Sequence, residues 1–136
     1  MSINNKIRGM ERSTRQRQAL VRLFERGTRP LTPQEALTGA RKSVKGIGLA
    51  TVYRAVRLLT AEGFLKAVEL PGEPTRYERA GPAHHHHFRC ETCGKVYPIL
   101  KCPGPMKKLA PPGFSVRDHT VILHGACSAC RTPARK

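Results

Sequence analysis

Three segments with helical apolar spacing, a two-strand pattern behind them and two Cys-X-X-Cys pairs further on predict an α+β chain. The expected architecture is a winged helix-turn-helix over residues 1–80, followed by a small α/β domain over 84–136 built around a four-cysteine zinc site.

From Ser13 the pattern turns helical: Ala19, Leu20, Leu23 and Phe24 share one face, Arg15, Arg17, Arg22 and Arg26 lie elsewhere, and Gly27 ends it. The dozen residues before it are polar and basic and read as a loose arm. A second helix opens on Thr32-Pro33-Gln34-Glu35, a capping box with proline at the first helical position, and runs to about Arg41. The third covers Leu49 to Glu62, with Val52, Val56, Leu58 and Leu59 as its apolar stripe and Gly63 as its stop. Leu65 to Leu70 and Thr75 to Arg79 then flank the turn Pro71-Gly72-Glu73-Pro74 as two short strands. In a winged helix-turn-helix this order sends the last helix into the DNA major groove and the hairpin wing along the backbone.

The small residues Ala80-Gly81-Pro82-Ala83 mark the boundary. Beyond it, Lys95 to Leu100 and Phe114 to His124 read as strands, and the prolyl segment from Cys102 to Gly113 has room for at most about two helical turns.

Cys90-Glu91-Thr92-Cys93 and Cys127-Ser128-Ala129-Cys130 are separated by 33 residues. A Cys-X-X-Cys turn aims two sulfurs at one point, so two such turns close a tetrahedral zinc site. Disulfides or scattered free thiols are the competing reading, with Cys102 left over; no apolar amino-terminal stretch marks a secreted chain, and a reducing cytoplasm would keep the thiols available to zinc. Immediately before the first pair stand His84 to His87. If they begin a strand, His85 and His87 point one way and His84 and His86 the other, so two metal sites can share it.

The chain carries 25 Lys and Arg against 9 Asp and Glu, a net charge of +16 divided as +9 over residues 1–80 and +7 over 81–136. Such an excess in both halves favours a polyanion, most simply double-stranded DNA. No apolar run approaches a membrane span. Arg12, Arg15 and Arg17, at the entry to the first helix, are candidates for phosphate or narrow-groove contacts.

Taken together, Gly48-Leu49-Ala50-Thr51-Val52-Tyr53-Arg54, Gly63, Arg76-Tyr77-Glu78, the histidine run with Cys90 and Cys93, then His119 and the second cysteine pair resemble the ferric uptake regulator family over roughly residues 12–130. The resemblance implies a cytoplasmic homodimer with a DNA-binding half and a metal-binding dimerisation half, whose metal-loaded form binds AT-rich palindromic operators and represses transcription. On the recognition helix it puts Thr51 in the reading motif and Tyr53 and Arg54 on base and backbone contacts, with Arg57 one turn on. It also implies a regulatory metal site of Glu78, His85 and His87 and a second site of His84, His86 and His119.

The departures from the family pattern bear on the metal. No histidine precedes position 84, so the amino-terminal histidine of the iron and peroxide sensors is missing, and Pro30 lies where it would be expected. Glu69 is a candidate replacement. Tyr97-Pro98 stands where an acidic ligand is usual, and only Glu91 and Asp118 are acidic after position 80. Imidazoles with few carboxylates, and a thiolate if Cys102 joins them, favour zinc over ferrous iron or manganese. Cys102 is equally readable as an ordinary buried thiol. The expectation is therefore a zinc-responsive repressor most like the zinc uptake regulators, with an iron- or manganese-responsive regulator as the alternative. An enzyme is not expected: four thiolates leave no open coordination position, and the deaminase pattern HxE…PCxxC is missing. A metal store that ignores DNA is disfavoured by the Tyr53-bearing helix.

Overall fold

The computed structural model describes residues 3–81 and 84–131, with side chains from Thr14 onward. The chain forms two compact units, Met1–Ala80 and Gly81–Lys136.

In the first unit, α1 (Ile3–Arg26), α2 (Pro33–Ala40) and α3 (Leu49–Ala61) precede a hairpin of β1 (Leu65–Val68) and β2 (Arg76–Arg79). The helix α1 starts ten residues before the expected Ser13, so the stretch read as a loose arm is helical. Its inward face is as the spacing predicts: Leu20 and Phe24 are buried, while Arg15, Arg17, Arg22 and Arg26 are exposed. At α2 the capping box closes in both directions, Glu35 N–H donating to Thr32 Oγ1 at 3.1 Å and Thr32 N–H to Glu35 Oε1 at 3.0 Å. Arg29 holds the other carboxylate oxygen at 3.0 Å, which fixes the glutamate in its capping role.

Val52, Val56 and Leu59 turn α3 onto Leu20, Phe24, Ala36, Ala40, Ile47 and Leu65. Leu58, expected in that stripe, is 58 % exposed. Positions 52, 56 and 59 follow the 3.6-residue period, and Leu58 falls about 100° away from Leu59 on the helical wheel. Gly63 takes φ 84°, the left-handed conformation that ends a helix without a Cβ penalty. The strands pair antiparallel from Leu65↔Arg79 to Val68↔Arg76. Leu31 and Tyr77 exchange backbone hydrogen bonds of 2.9 and 2.8 Å, tying the wing to the start of α2.

The second unit is a three-stranded sheet in the order β4-β3-β5, with β3 at His86–Cys90, β4 at Val96–Ile99 and β5 at Ile122–Gly125. β3 pairs antiparallel with β4 and parallel with β5. The strand expected over Phe114 to His124 is thus only its last part; Arg117, Asp118 and Thr120 are exposed and bring no apolar face to a sheet. The prolyl segment holds one turn of 3₁₀ helix, Lys107–Leu109. Among the described residues, the buried hydrophobics of this unit are Cys90, Val96 and Cys127. So small an apolar core cannot offset the chain entropy by itself, and two of its three members are metal-ligand types.

Candidate metal centres and nucleic-acid interface

The two Cys-X-X-Cys turns converge. One ligand atom from each of Cys90, Cys93, Cys127 and Cys130 lies within 4.8 Å of the others. Cys93 and Cys127 sulfurs stand 3.9 Å apart, close to the edge of about 3.8 Å that a tetrahedron with Zn–S bonds of about 2.3 Å requires. The first turn leaves the end of β3 and is closed by Gly94 at φ 75°, so that Cys93 N–H donates to Cys90 Sγ at 3.4 Å. Cys127 N–H reaches the same sulfur at 3.3 Å. These donors hold the Cys90 thiol down at about 6, led by Cys93. Burial opposes ionisation of Cys127, but bonds from the Tyr97 side chain and from the Cys130 and Ala129 backbone outweigh it and its pKa is lowered. Cys130, hydrogen-bonded to Cys127, is pushed up to about 12. All five thiols are free, so no disulfide forms among the described residues. Tyr97 was legible only as the residue in place of an acidic ligand; its role as the partner of Cys127 has no sequence signal.

A second cluster gathers His84, His86, Cys102 and His119, again with one ligand atom from each within 4.8 Å. Cys102 Sγ lies 3.1 Å from His119 Nε2, and His84 Nε2 lies 3.4 Å from the same atom. Cys102 is exposed at the edge of the cluster, which removes the buried-thiol reading. His86 is 1 % exposed, and its Nε2 has no hydrogen-bond partner. Burial, and then the neighbouring histidines His84, His119, His85 and His87, lower its pKa, so the ring is neutral. Three imidazoles and a thiol, with a buried ring nitrogen unsatisfied, are a donor set suited to a borderline-soft divalent ion.

The alternation expected of the histidine run holds within this unit. His84 and His86 rings are 4.4 Å apart between centroids, His85 and His87 4.9 Å, and the two pairs belong to opposite faces. In the first unit, Glu78 is buried on β2 and Glu69 is exposed just beyond β1.

On α3, Tyr53 is 38 % exposed, Thr51 half-buried, and Arg54 and Arg57 exposed. Gln34 Nε2 meets Tyr53 Oη at 3.4 Å, and Arg54 Nη2 donates to Thr51 Oγ1 at 3.4 Å. The helix therefore presents a phenol and two guanidinium groups on its outer face while Val52 and Val56 anchor the inner one. Gln34, which positions the tyrosine from α2, was not singled out by the sequence. Arg15 lines a cavity of about 430 Å³ with Gln16, Ser43, Val44, Lys45 and Gly46. Arg17 is paired instead with Glu62, just past α3, so a phosphate would have to compete with that carboxylate for it. The Arg12 side chain lies outside the described residues. No described helix is long and apolar enough to cross a membrane.

Known proteins are similar to this chain in sequence and in fold. The family model of the ferric uptake regulator family matches residues 8–124. The zinc uptake regulation protein of Mycobacterium tuberculosis is 32 % identical over 124 residues, covering 89 % of this chain and 95 % of that protein. The ferric uptake regulation protein of Bacillus subtilis is 32 % identical over 124 residues, covering 86 % and 83 %. Among solved structures, a zinc-bound manganese uptake regulator superposes with a TM-score of 0.75 at 26 % identity, covering 82 % of this chain and 87 % of that one. A winged helix joined to a histidine- and cysteine-rich unit defines a metal-responsive, DNA-binding transcription regulator. The chain belongs to the ferric uptake regulator family.

Proposed function

We propose that this chain is a zinc-responsive transcriptional repressor that acts as a homodimer on an AT-rich palindromic operator controlling metal uptake or homeostasis. The observation that carries the choice of metal is the second cluster, where Cys102 brings a thiol to three imidazoles and no carboxylate takes part. Hard ions such as manganese favour oxygen ligands, whereas nitrogen and sulfur donors select zinc. A bound zinc ion would supply a fixed positive centre that holds its ligands in one geometry; everything else falls to the protein's own groups.

In this reading Cys90, Cys93, Cys127 and Cys130 hold a structural zinc, and His84, His86, His119 and Cys102 hold a second one. Glu78, His85 and His87 form the regulatory site, with Glu69 as a further candidate ligand; the family resemblance and the shared face of the two histidines support this assignment. Loading that site favours the dimer conformation in which the two α3 helices meet successive major grooves. Tyr53, Arg54, Thr51 and Arg57 read and grip the operator, and Arg15, with Arg12 and Arg17, meets phosphates. Exposed Leu100, Leu109, Phe114 and Leu123 on the second unit support self-association. Zinc relatives as well as iron and manganese regulators occur in the family.

The test is operator binding by gel shift at controlled free zinc, ferrous iron and manganese. Zinc should strengthen binding at the lowest free concentration, and the His85→Ala/His87→Ala double variant should stay dimeric yet lose that response. A stronger response to iron or manganese, or a double variant with undiminished zinc dependence, refutes the reading.

A further inference from the structure

His86 cannot serve two partners at once. Its Nδ1 accepts the backbone N–H of Val121 at 3.0 Å, and its buried Nε2 has no partner. A neutral imidazole has one N–H and one lone pair available for bonding. Accepting from Val121 places the lone pair on Nδ1 and the hydrogen on Nε2, and no ring nitrogen is then left for a metal ion.

We propose that metal loading of the His84, His86, Cys102 and His119 cluster and the Val121–His86 hydrogen bond exclude one another, so that the amino end of β5 is a switch set by the metal. The inference rests on the reading of that cluster as a metal site. Ligation through Nδ1 displaces the Val121 N–H directly. Ligation through Nε2 moves the ring hydrogen to Nδ1, where it faces the Val121 N–H donor to donor. In both cases the ring stays neutral, and the change is an exchange of partners or of tautomers. Ligating histidines normally donate their second ring N–H to a carbonyl, carboxylate or water, the reverse of the polarity found here.

The position of Val121 gives this exchange a structural output. His87 N–H donates to the Val121 carbonyl at 3.2 Å, and the next residue, Ile122, opens β5 in register with His87. His119, another member of the cluster, lies two residues upstream. Releasing the Val121 N–H therefore displaces the segment that carries one ligand and leads into the edge strand of the β4-β3-β5 sheet. By linkage, whatever strengthens the Val121–His86 bond weakens metal binding, and the metal weakens the bond by the same factor.

Two measurements test it on the full chain with zinc as the probe. In nitrogen-15 NMR, the protein carrying zinc only at its four cysteines should show His86 protonated on Nε2 and a slowly exchanging Val121 amide. Loading the second site should change the His86 ring pattern and speed exchange at Val121 together. Val121→Pro deletes the competing N–H at a position just before the strand, where proline is tolerated, and should raise zinc affinity at this site about fivefold, the weight of one net hydrogen bond. Val121→Ala keeps the N–H and should leave that affinity unchanged. If the His86 ring reports bound zinc while the Val121 amide keeps its shift and slow exchange, the proposal fails alone. If the chain takes zinc only at its four cysteines and the His86 ring never changes, the metal-site reading fails with it.

Discussion

Replacing Cys90 by serine removes the thiol on which the second unit converges. Its sulfur is fully buried and accepts the N–H groups of Cys93 and Cys127 at 3.4 and 3.3 Å. Structural zinc in small domains contributes an apparent binding free energy of about 10–16 kcal/mol, which is also folding free energy. A whole domain is commonly stable by only about 5–15 kcal/mol. Among the described residues, Val96 is the remaining buried apolar one beside Cys90 and Cys127, far too little to replace a contribution of that size. Cys90→Ser should therefore unfold residues beyond Gly81 and abolish dimerisation, while the first unit, with ten buried residues in its own core, stays folded. Zinc content per chain, size-exclusion chromatography and residue-resolved hydrogen exchange read the three parts of this outcome. A Cys90→Ser protein that keeps its zinc, its dimer and protected amides in β3 and β4 would refute the four-cysteine assignment.

If Tyr53 reads a base as proposed, Tyr53→Ala should lower discrimination between operator and random DNA by about 1–3 kcal/mol, measured as the ratio of the two affinities. Arg15→Ala should weaken both affinities alike and reduce the slope of log affinity against log salt by about 1. Proton linkage at the tetrad has a definite sign. Cys90 falls from the ordinary thiol value of 9.0 to about 6, so its contribution to metal-free stability is full above 9.0 and is lost as pH falls through about 6. Cys130 rises from 9.0 to about 12, so its contribution is present below 9.0 and is lost as pH rises through about 12. At neutral pH, zinc uptake by the tetrad should accordingly release at least the proton held by Cys130, and zinc affinity should fall on acidification. A dye-monitored titration in weak buffer checks this; zinc uptake without proton release would show that the tetrad is not the acceptor.

Local chemistry was legible in the sequence wherever it depends on short spacing. The capping box at Thr32, the inward face of α1 at Leu20 and Phe24, the turn at Gly63 and the alternation of His84 to His87 follow from helical and strand periods, and each is present. The paired cysteine turns likewise announced one centre, because four thiols at that spacing have few other uses. Structure departs from the pattern where a period is stretched or has no local marker. Leu58 lies outside a stripe that geometry closes at Leu59, the strand expected from Phe114 begins only at Ile122, and the helix expected from Ser13 reaches back to Ile3.

Only the tertiary structure decided the company each functional group keeps. Cys102 and His119 are 17 residues apart and meet at 3.1 Å, Gln34 of α2 braces Tyr53 of α3, Glu62 engages Arg17, and Val121 claims the His86 nitrogen. None of these pairs has a sequence period, because each joins segments brought together by packing or by strand pairing. Residue type and spacing determine which atoms are able to bind a metal or a phosphate; which of them remain available is set by the neighbours that the fold places within a hydrogen bond's length.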